Sequence, residues 1–154
     1  TGSIEWHLRS GICSGLNMLG NIGFAAPYVE LYETLTLQEN LRFLHDLYRG
    51  ESPTSIADLL IRFQAESFAG RLYGDLSTGQ RQRAKLAAAV IHRPEILCLD
   101  EPGANLDEEG RTLVQSTINR FTEEGKMVLI ASNQPGELAL CQQTINLDIR
   151  SDTG

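Results

Sequence analysis

Hydrophobic positions along the chain follow two different periods. Short apolar or alternating runs bounded by polar residues and glycines are typical of β-strands. The predicted strands cover residues 3–8, 22–26, 96–99, 127–131 and 144–147. The glycine-rich stretch 9–21 lies between the first two of them and is predicted to be a loop.

Other segments place apolar residues at helical spacing or carry the residue types that begin helices. The predicted helices run from Thr36 to near Gly50, from Ser55 onward, over 79–90 and over 106–121, with a last one starting at Pro135. Thr36 and Glu39 have the spacing of a capping box. Asp107 is the N-terminal acid of the fourth helix, and Asn133 or Gln134 caps the fifth.

The order of these elements predicts the fold class. Apolar strands that alternate with helices indicate an α/β protein with a mostly parallel sheet covered on both faces. The mostly helical middle, about 36–73, is predicted to form a small subdomain between the core segments 1–35 and 74–154.

Composition narrows the classes of function. The chain has 154 residues and a formal net charge of −7 without a basic stripe, which argues against nucleic acid as a partner. Its three cysteines are scattered, as is typical of a reducing compartment. No run of residues reaches the length of a membrane span, and no signal peptide is visible, so a soluble cytosolic protein is expected.

Residues 15–22, GLNMLGNI, have the glycine spacing of a phosphate-binding loop. Asn21 and Ile22 stand where that loop needs a lysine for the phosphates and a hydroxyl for Mg²⁺. A short apolar run ended by Pro27 follows, which predicts a strand where the loop needs a helix. We therefore interpret this spacing as coincidence rather than as a degraded ATP site.

Two consecutive carboxylates, Asp100 and Glu101, end an apolar predicted strand. The carboxyl ends of strands in α/β sheets are where ligands bind. Since neighbouring strand residues point to opposite sides, Asp100 suits the water shell of Mg²⁺ and Glu101 suits polarising an attacking water. The alternative is an ordinary charged strand end at the surface.

The segment 76–83, LSTGQRQR, is predicted to lead into a helix. Ser77 lies near the helix N-terminus, and Gly79 permits close approach of a ligand. Free N–H groups and the helix dipole attract anions at such an end. The alternative is that Ser77 is simply a helix cap.

These segments together resemble the ATP-binding subunit of an ABC transporter. LSTGQ at 76–80 is similar to the family signature LSGGQ, ILCLDEP at 96–102 to its Walker B segment, and ANLD at 104–107 to its D-loop. The stretch 22–43 resembles the segment with the Q-loop and the start of the helical subdomain, so the resemblance covers nearly the whole chain. The finer resemblance is to the ATP-binding subunits of heme exporters and ABC-2 type exporters.

The resemblance implies a P-loop NTPase core of the ABC ATPase type, plus a helical subdomain. ATP and Mg²⁺ are the implied cofactors, and ATP hydrolysis coupled to transport is the implied activity. The implied partners are a transmembrane permease and a second ATP-binding subunit, identical or different. The chain is then cytoplasmic and peripheral at the inner face of the cell membrane, which it contacts only through its partner.

The resemblance also assigns roles to residues of this chain. The signature residues contact nucleotide held by the second subunit: Ser77, Thr78, Gly79 and Gln80. Glu101 polarises water, Asn133 stands at the position of the switch histidine, Asp100 serves Mg²⁺, and Asp107 communicates across the dimer.

The sequence departs from the family pattern in three places. Residues 1–6 resemble the strand that follows the phosphate loop and its helix, so the N-terminal part of the core, with the Walker A loop, is expected to be absent. Pro27 stands where the Q-loop glutamine is expected and offers no side-chain oxygen. Asn133 can hydrogen-bond a phosphate but cannot carry charge, and it is alternatively a plain helix cap.

Three hypotheses remain open from the sequence. The chain is part of an active ATPase, or a degenerate module that lends its signature helix to a competent partner. A DNA-repair-type or translation-type ABC protein is disfavoured, because no long coiled-coil insertion or basic patch is visible. Alone, the chain is expected to be inactive, to bind ATP weakly at best and to expose apolar faces.

Overall fold

The computed structural model describes residues 6–8, 11–13, 20–48 and 55–146. The first two strands, β1 (Trp6–Leu8) and β2 (Gly11–Cys13), form an antiparallel pair in which Trp6 lies opposite Cys13. The first predicted strand is confirmed over 6–8, and its residues 3–5 lie outside the described residues. The loop predicted over 9–21 is wrong at 11–13, because the three residues of β2 are too few to display alternation.

Three parallel strands form the main sheet in the order β3–β4–β5. They are β3 (Ile22–Ala25), β4 (Ile96–Asp100) and β5 (Met127–Ala131). Ile22 pairs with Ile96, which in turn pairs with Met127. These three strands confirm the sequence prediction. The phosphate-loop spacing at 15–22 leads into β3 rather than into a helix, and its residues 15–19 lie outside the described residues.

The strand predicted over 144–147 is wrong for residues 144–146, which form no strand. Its alternation rested on Ile145, which is 84% exposed and therefore gains nothing from burial. Leu147 lies outside the described residues.

Five helices flank the strands in the part of the chain that the structure describes: α1 (Leu37–Leu47), α2 (Ile56–Arg62), α3 (Thr78–Val90), α4 (Glu108–Glu123) and α5 (Pro135–Leu138). The predicted capping box at Thr36 and Glu39 is present, and Ser55 caps α2. The helix α4 begins two residues later than predicted, because Asp107 is its cap and the preceding Leu106 is buried in the core.

The described helices cover one face of the parallel sheet. Strand order advances in one direction, so right-handed crossovers place α3 and α4 on the same side. On the other face Phe24, Cys98 and Leu129 lie in one row, and Phe24 and Leu129 are 41% and 43% exposed. The expectation of a sheet covered on both faces is therefore not met within the described residues.

The helical middle shares its core with α3. Leu37, Leu41 and Phe63 belong to the same hydrophobic cluster as Leu86 and Ile91. The division into core segments 1–35 and 74–154 and a subdomain at about 36–73 stays a prediction.

Candidate functional site

The N-terminus of α3 is closed by a reciprocal capping box. The Gln80 N–H donates to the Ser77 Oγ at 3.3 Å, and the Ser77 N–H donates to the Gln80 Oε1 at 3.1 Å. The cap interpretation of Ser77 is thus confirmed. Thr78 and Gly79 follow as the first helical residues, whose N–H groups have no acceptor within the helix. The helix end keeps its capacity to attract an anion alongside its cap.

The acid pair lies where β4 turns into a loop. Asp100 is the last residue of β4, pairs with Ala131 and is half-buried. Glu101 is exposed and has left the strand, with a φ of 44° in the left-handed region. Its N–H donates to the Ala131 carbonyl at 2.9 Å, and its carbonyl accepts the Ala104 N–H at 3.0 Å. The direction of the Glu101 side chain is therefore set by this turn rather than by strand alternation.

A cleft of about 450 Å³ brings part of the predicted site together. Its lining includes Glu101, Ser77 and Thr78, so the strand end and the start of α3 face one space. Gly79 lies beside this lining, since a Cβ on it would be 4.0 Å from the Asn105 carbonyl oxygen. The other predicted residues are not part of the lining: Gln80, Asp100, Asp107 and Asn133.

One wall of this cleft carries a buried cation that the sequence analysis missed. Lys85 of α3 is 6% exposed, and its Nζ lies 2.8 Å from the Pro27 carbonyl and 2.8 Å from the Glu30 Oε1. The Tyr73 hydroxyl donates to the other Glu30 oxygen at 2.5 Å. Desolvation raises the pKa of Glu30, but the hydrogen bonds from Lys85 and Tyr73 outweigh it and hold that pKa below its ordinary value.

Pro27 offers no side-chain oxygen to this wall. Its carbonyl oxygen accepts a hydrogen bond from Lys85, and the exposed residue lines the cleft. The only signal for this wall in the sequence was the position of Lys85 directly before the apolar run LAAAV.

The loop between β4 and α4 is held from α3. The Gln82 Nε2 donates to the Pro102 carbonyl at 3.1 Å. Asp107 accepts the Gly110 N–H at 2.8 Å, which confirms it as the N-terminal acid of α4. The Arg83 Nη2 lies 3.6 Å from the Asp107 Oδ1 and 3.6 Å from the Glu109 Oε2.

The same loop is also held from α5. Glu137 is 8% exposed, and its Oε1 accepts the Gly103 N–H at 2.7 Å. Its Oε2 is buried and has no hydrogen-bond partner among the described residues. A Cβ on Gly103 would collide with the Glu137 Oε1, so a larger residue there would displace the Glu137 carboxylate from its bond to the Gly103 N–H. Sequence reasoning missed Glu137, because an acid in the first turn of a helix is ordinary.

Asn133 lies between β5 and α5 and is exposed. The cap of α5 is Gln134, whose side chain makes no capping bond. The alternative interpretation of Asn133 as the cap is therefore wrong. The Ser132 Oγ accepts the Gln134 N–H at 3.0 Å, so Ser132 orders the chain before the helix.

The carboxylates of the site suit a metal ion whose other ligands are waters or substrate phosphates. Within the described residues no group of three His, Cys, Asp or Glu side chains could hold a metal ion. Mg²⁺ is commonly bound by one or two carboxylates together with waters and substrate phosphates. The half-buried Asp100 at the strand end fits that requirement.

Comparison with known proteins identifies the family. The ABC transporter family model matches residues 14–104, and the chain belongs to this family. The family and the α/β fold predicted from the sequence are confirmed, while the finer placement among heme and ABC-2 type exporters stays a prediction.

Curated relatives include the ABC transporter ATP-binding protein NatA of Bacillus subtilis, which is 35% identical over 119 residues. That match covers 75% of this chain and 48% of NatA. The probable multidrug ABC transporter ATP-binding protein YbhF of Escherichia coli is 32% identical over 127 residues, 80% of this chain and 22% of YbhF. The chain thus spans about half the length of these relatives or less.

Solved structures show the same fold. A dimeric, post-hydrolysis structure of the ATP-binding cassette MJ0796 bound to ADP and Pi is 25% identical, with a TM-score of 0.68. The match covers 78% of this chain and 55% of the MJ0796 chain. An ATP-binding subunit of an ABC transporter gives a TM-score of 0.67 at 22% identity, over 79% of this chain and 52% of that one.

Among the described residues, no helix is long and apolar enough to cross a membrane.

Proposed function

We propose that this chain is part of the ATP-binding subunit of an ABC transporter and takes part in ATP hydrolysis that drives transport. One observation carries the proposal. The start of α3, which has the family signature, and Glu101, which directly follows the Walker B strand, line one cleft.

Each residue has a role in this proposal. Ser77, Thr78, Gly79 and Gln80 present the N-terminus of α3 to the terminal phosphate of ATP bound by a second subunit. Glu101 accepts a proton from the attacking water, and Asn133 donates a hydrogen bond to the phosphate. Bound Mg²⁺ neutralises the phosphate charge, and Asp100 holds its water shell.

The proposed partners follow from the same arrangement. A signature surface that faces a nucleotide held elsewhere needs a second ATP-binding subunit, identical or different. Asp107 and the loop before α4 lie next to the start of α3, where they can carry a signal between the two subunits. A transmembrane permease anchors the dimer at the cytoplasmic face of the membrane.

The test is ATP turnover by the chain joined to an upstream segment, from a relative, that carries a phosphate-binding loop. We expect Mg-ATP binding and turnover. Glu101→Gln should lower turnover by about 10²–10⁴-fold, the usual contribution of a general base, and leave binding intact. Glu123→Gln, an exposed substitution of the same charge on α4, is the matched control. Turnover that survives Glu101→Gln contradicts the role of Glu101.

A second candidate function is a non-hydrolysing module that supplies its signature helix to a competent partner. The bond between Lys85 and the Pro27 carbonyl favours it, because the position of the Q-loop glutamine has no side-chain oxygen and its main-chain oxygen already accepts a hydrogen bond. This candidate predicts poor turnover by the completed chain alone, yet stimulation of a partner subunit in trans. Ser77→Arg should abolish the stimulation, and the exposed Ser67→Arg should not.

A further inference from the structure

A second cleft lies at the end of the parallel sheet opposite Glu101. It has a volume of about 400 Å³ and lies between α2, the C-terminal ends of α3 and α4, and the residue before β5. Its charged lining consists of four basic and two acidic side chains: Arg62, Arg93, Arg120 and Lys126 against Asp58 and Glu124. The whole chain carries a net charge of −7, so this excess of positive charge is a local feature.

Each carboxylate oxygen of Glu124 forms an ion pair with one of these cations. Its Oε1 lies 3.0 Å from the Arg120 Nε, and its Oε2 lies 2.9 Å from the Lys126 Nζ. The hydrogen bonds from Lys126 and Arg120 hold the pKa of Glu124 below its ordinary value. Glu124 thus pairs directly with two cations, and its charge also raises the pKa of Arg62, though less than burial and Arg120 lower it.

Arg62 forms no ion pair among the described residues. Its Nη2 is buried and has no hydrogen-bond partner among them. Asp58, one helical turn earlier, forms no ion pair with Arg62 within the described part of the chain. Burial and the nearby charge of Arg120 lower the pKa of Arg62 more than the charge of Glu124 raises it. The guanidinium lies 5.2 Å from the Phe63 ring centre, which fixes its position beside the cleft.

We propose that this cleft binds the phosphate group of a small molecule, with Arg62 as its main anchor. A phosphate offers several acceptor oxygens to a planar guanidinium, and such pairs are strong charge-assisted hydrogen bonds. The lining carries more basic than acidic side chains, which suits an anion. A volume of about 400 Å³ leaves room for a second phosphate or an organic group beyond the one bound by Arg62.

The test is calorimetric titration of the chain with pyrophosphate. Arg62→Gln should weaken binding at least about tenfold, because hydrogen bonds to a charged group are lost. Arg42→Gln, an exposed substitution of equal charge outside this cleft, should leave binding unchanged. Arg62→Lys should bind with intermediate affinity, since it keeps the charge and loses the planar fork. Citrate should bind more weakly than pyrophosphate.

A thermal-unfolding series keeps the proposal testable if a variant changes the fold. Without added anion, Arg62→Met should unfold at the same or a higher temperature than the original chain, because an unmatched buried charge is removed. Pyrophosphate should raise the unfolding temperature of the original chain and not that of Arg62→Met. Equal pyrophosphate affinity in Arg62→Gln and Arg42→Gln, or citrate binding as tight as pyrophosphate binding, overturns the assignment.

Discussion

The bond between Glu137 and Gly103 allows a prediction about stability that separates a hydrogen bond from a charge. Glu137→Ala removes the acceptor of the Gly103 N–H and empties the space around a side chain that is 8% exposed. A buried N–H without an acceptor costs about 1–3 kcal/mol. We therefore expect Glu137→Ala to lower the free energy of unfolding by about 2 kcal/mol.

Glu137→Gln keeps an acceptor oxygen for the Gly103 N–H and removes a buried carboxylate oxygen that has no described partner. A neutral acceptor is weaker than a charged one, but the cost of the unmatched charge disappears as well. These two effects oppose each other. We expect the glutamine variant to lie within about 1 kcal/mol of the original chain.

Urea unfolding followed by circular dichroism measures both variants, and hydrogen exchange reports on the Gly103 amide. Exchange at Gly103 should accelerate in Glu137→Ala and stay slow in Glu137→Gln. Equal stability of the alanine and glutamine variants would refute the reasoning, since the hydrogen bond would then contribute nothing measurable. Slow Gly103 exchange in the alanine variant would refute it independently.

Two further predictions concern the sheet and its edge. A Cβ on Gly23 would collide with the Ala89 carbonyl oxygen. Gly23→Ala should therefore lower the free energy of unfolding by about 3 kcal/mol or more, as measured by urea unfolding. Gly70→Ala is the control and should have little effect, because a Cβ there would lie in open space. Burial lowers the pKa of His92 more than its hydrogen bond to the Ile22 carbonyl raises it. The folded chain thus favours neutral His92, so stability is complete above a pH of about 6.5 and falls as the pH drops below it. His92→Phe should flatten this pH dependence of the unfolding free energy, and an unchanged slope between pH 7.5 and 5 would contradict the assignment.

The sequence predicted correctly those elements that depend on residues close together in the chain. The predicted capping box at Thr36 involves residues three positions apart, so its side chains are visible as a pair in the sequence. The apolar runs at β4 and β5 are visible directly in the sequence, although alternate residues of β5 are exposed. The ordered motifs around Glu101 predicted the family.

Long-range contacts explain what the sequence did not reveal. Lys85 meets Pro27 across 58 positions, and Glu137 meets Gly103 across 34, so neither pair has a local pattern. The strand prediction around Ile145 was wrong for a related reason. Alternation of apolar and polar residues does not show whether a neighbouring strand is available for pairing. Within the predicted site, the structure brought Ser77 and Glu101 together but left Asn133 outside the cleft.

The loop between β4 and α4 has a mechanical consequence. It is fastened to α3 through Gln82 and Arg83, and to α5 through Glu137, at three points along its length. Because both α3 and α5 are bonded to this loop, a shift of either helix displaces the loop as well. A tilt of α3 is therefore passed on to the backbone that carries Glu101, and a displacement of Glu101 is passed back to α5 and to Asn133 beside it.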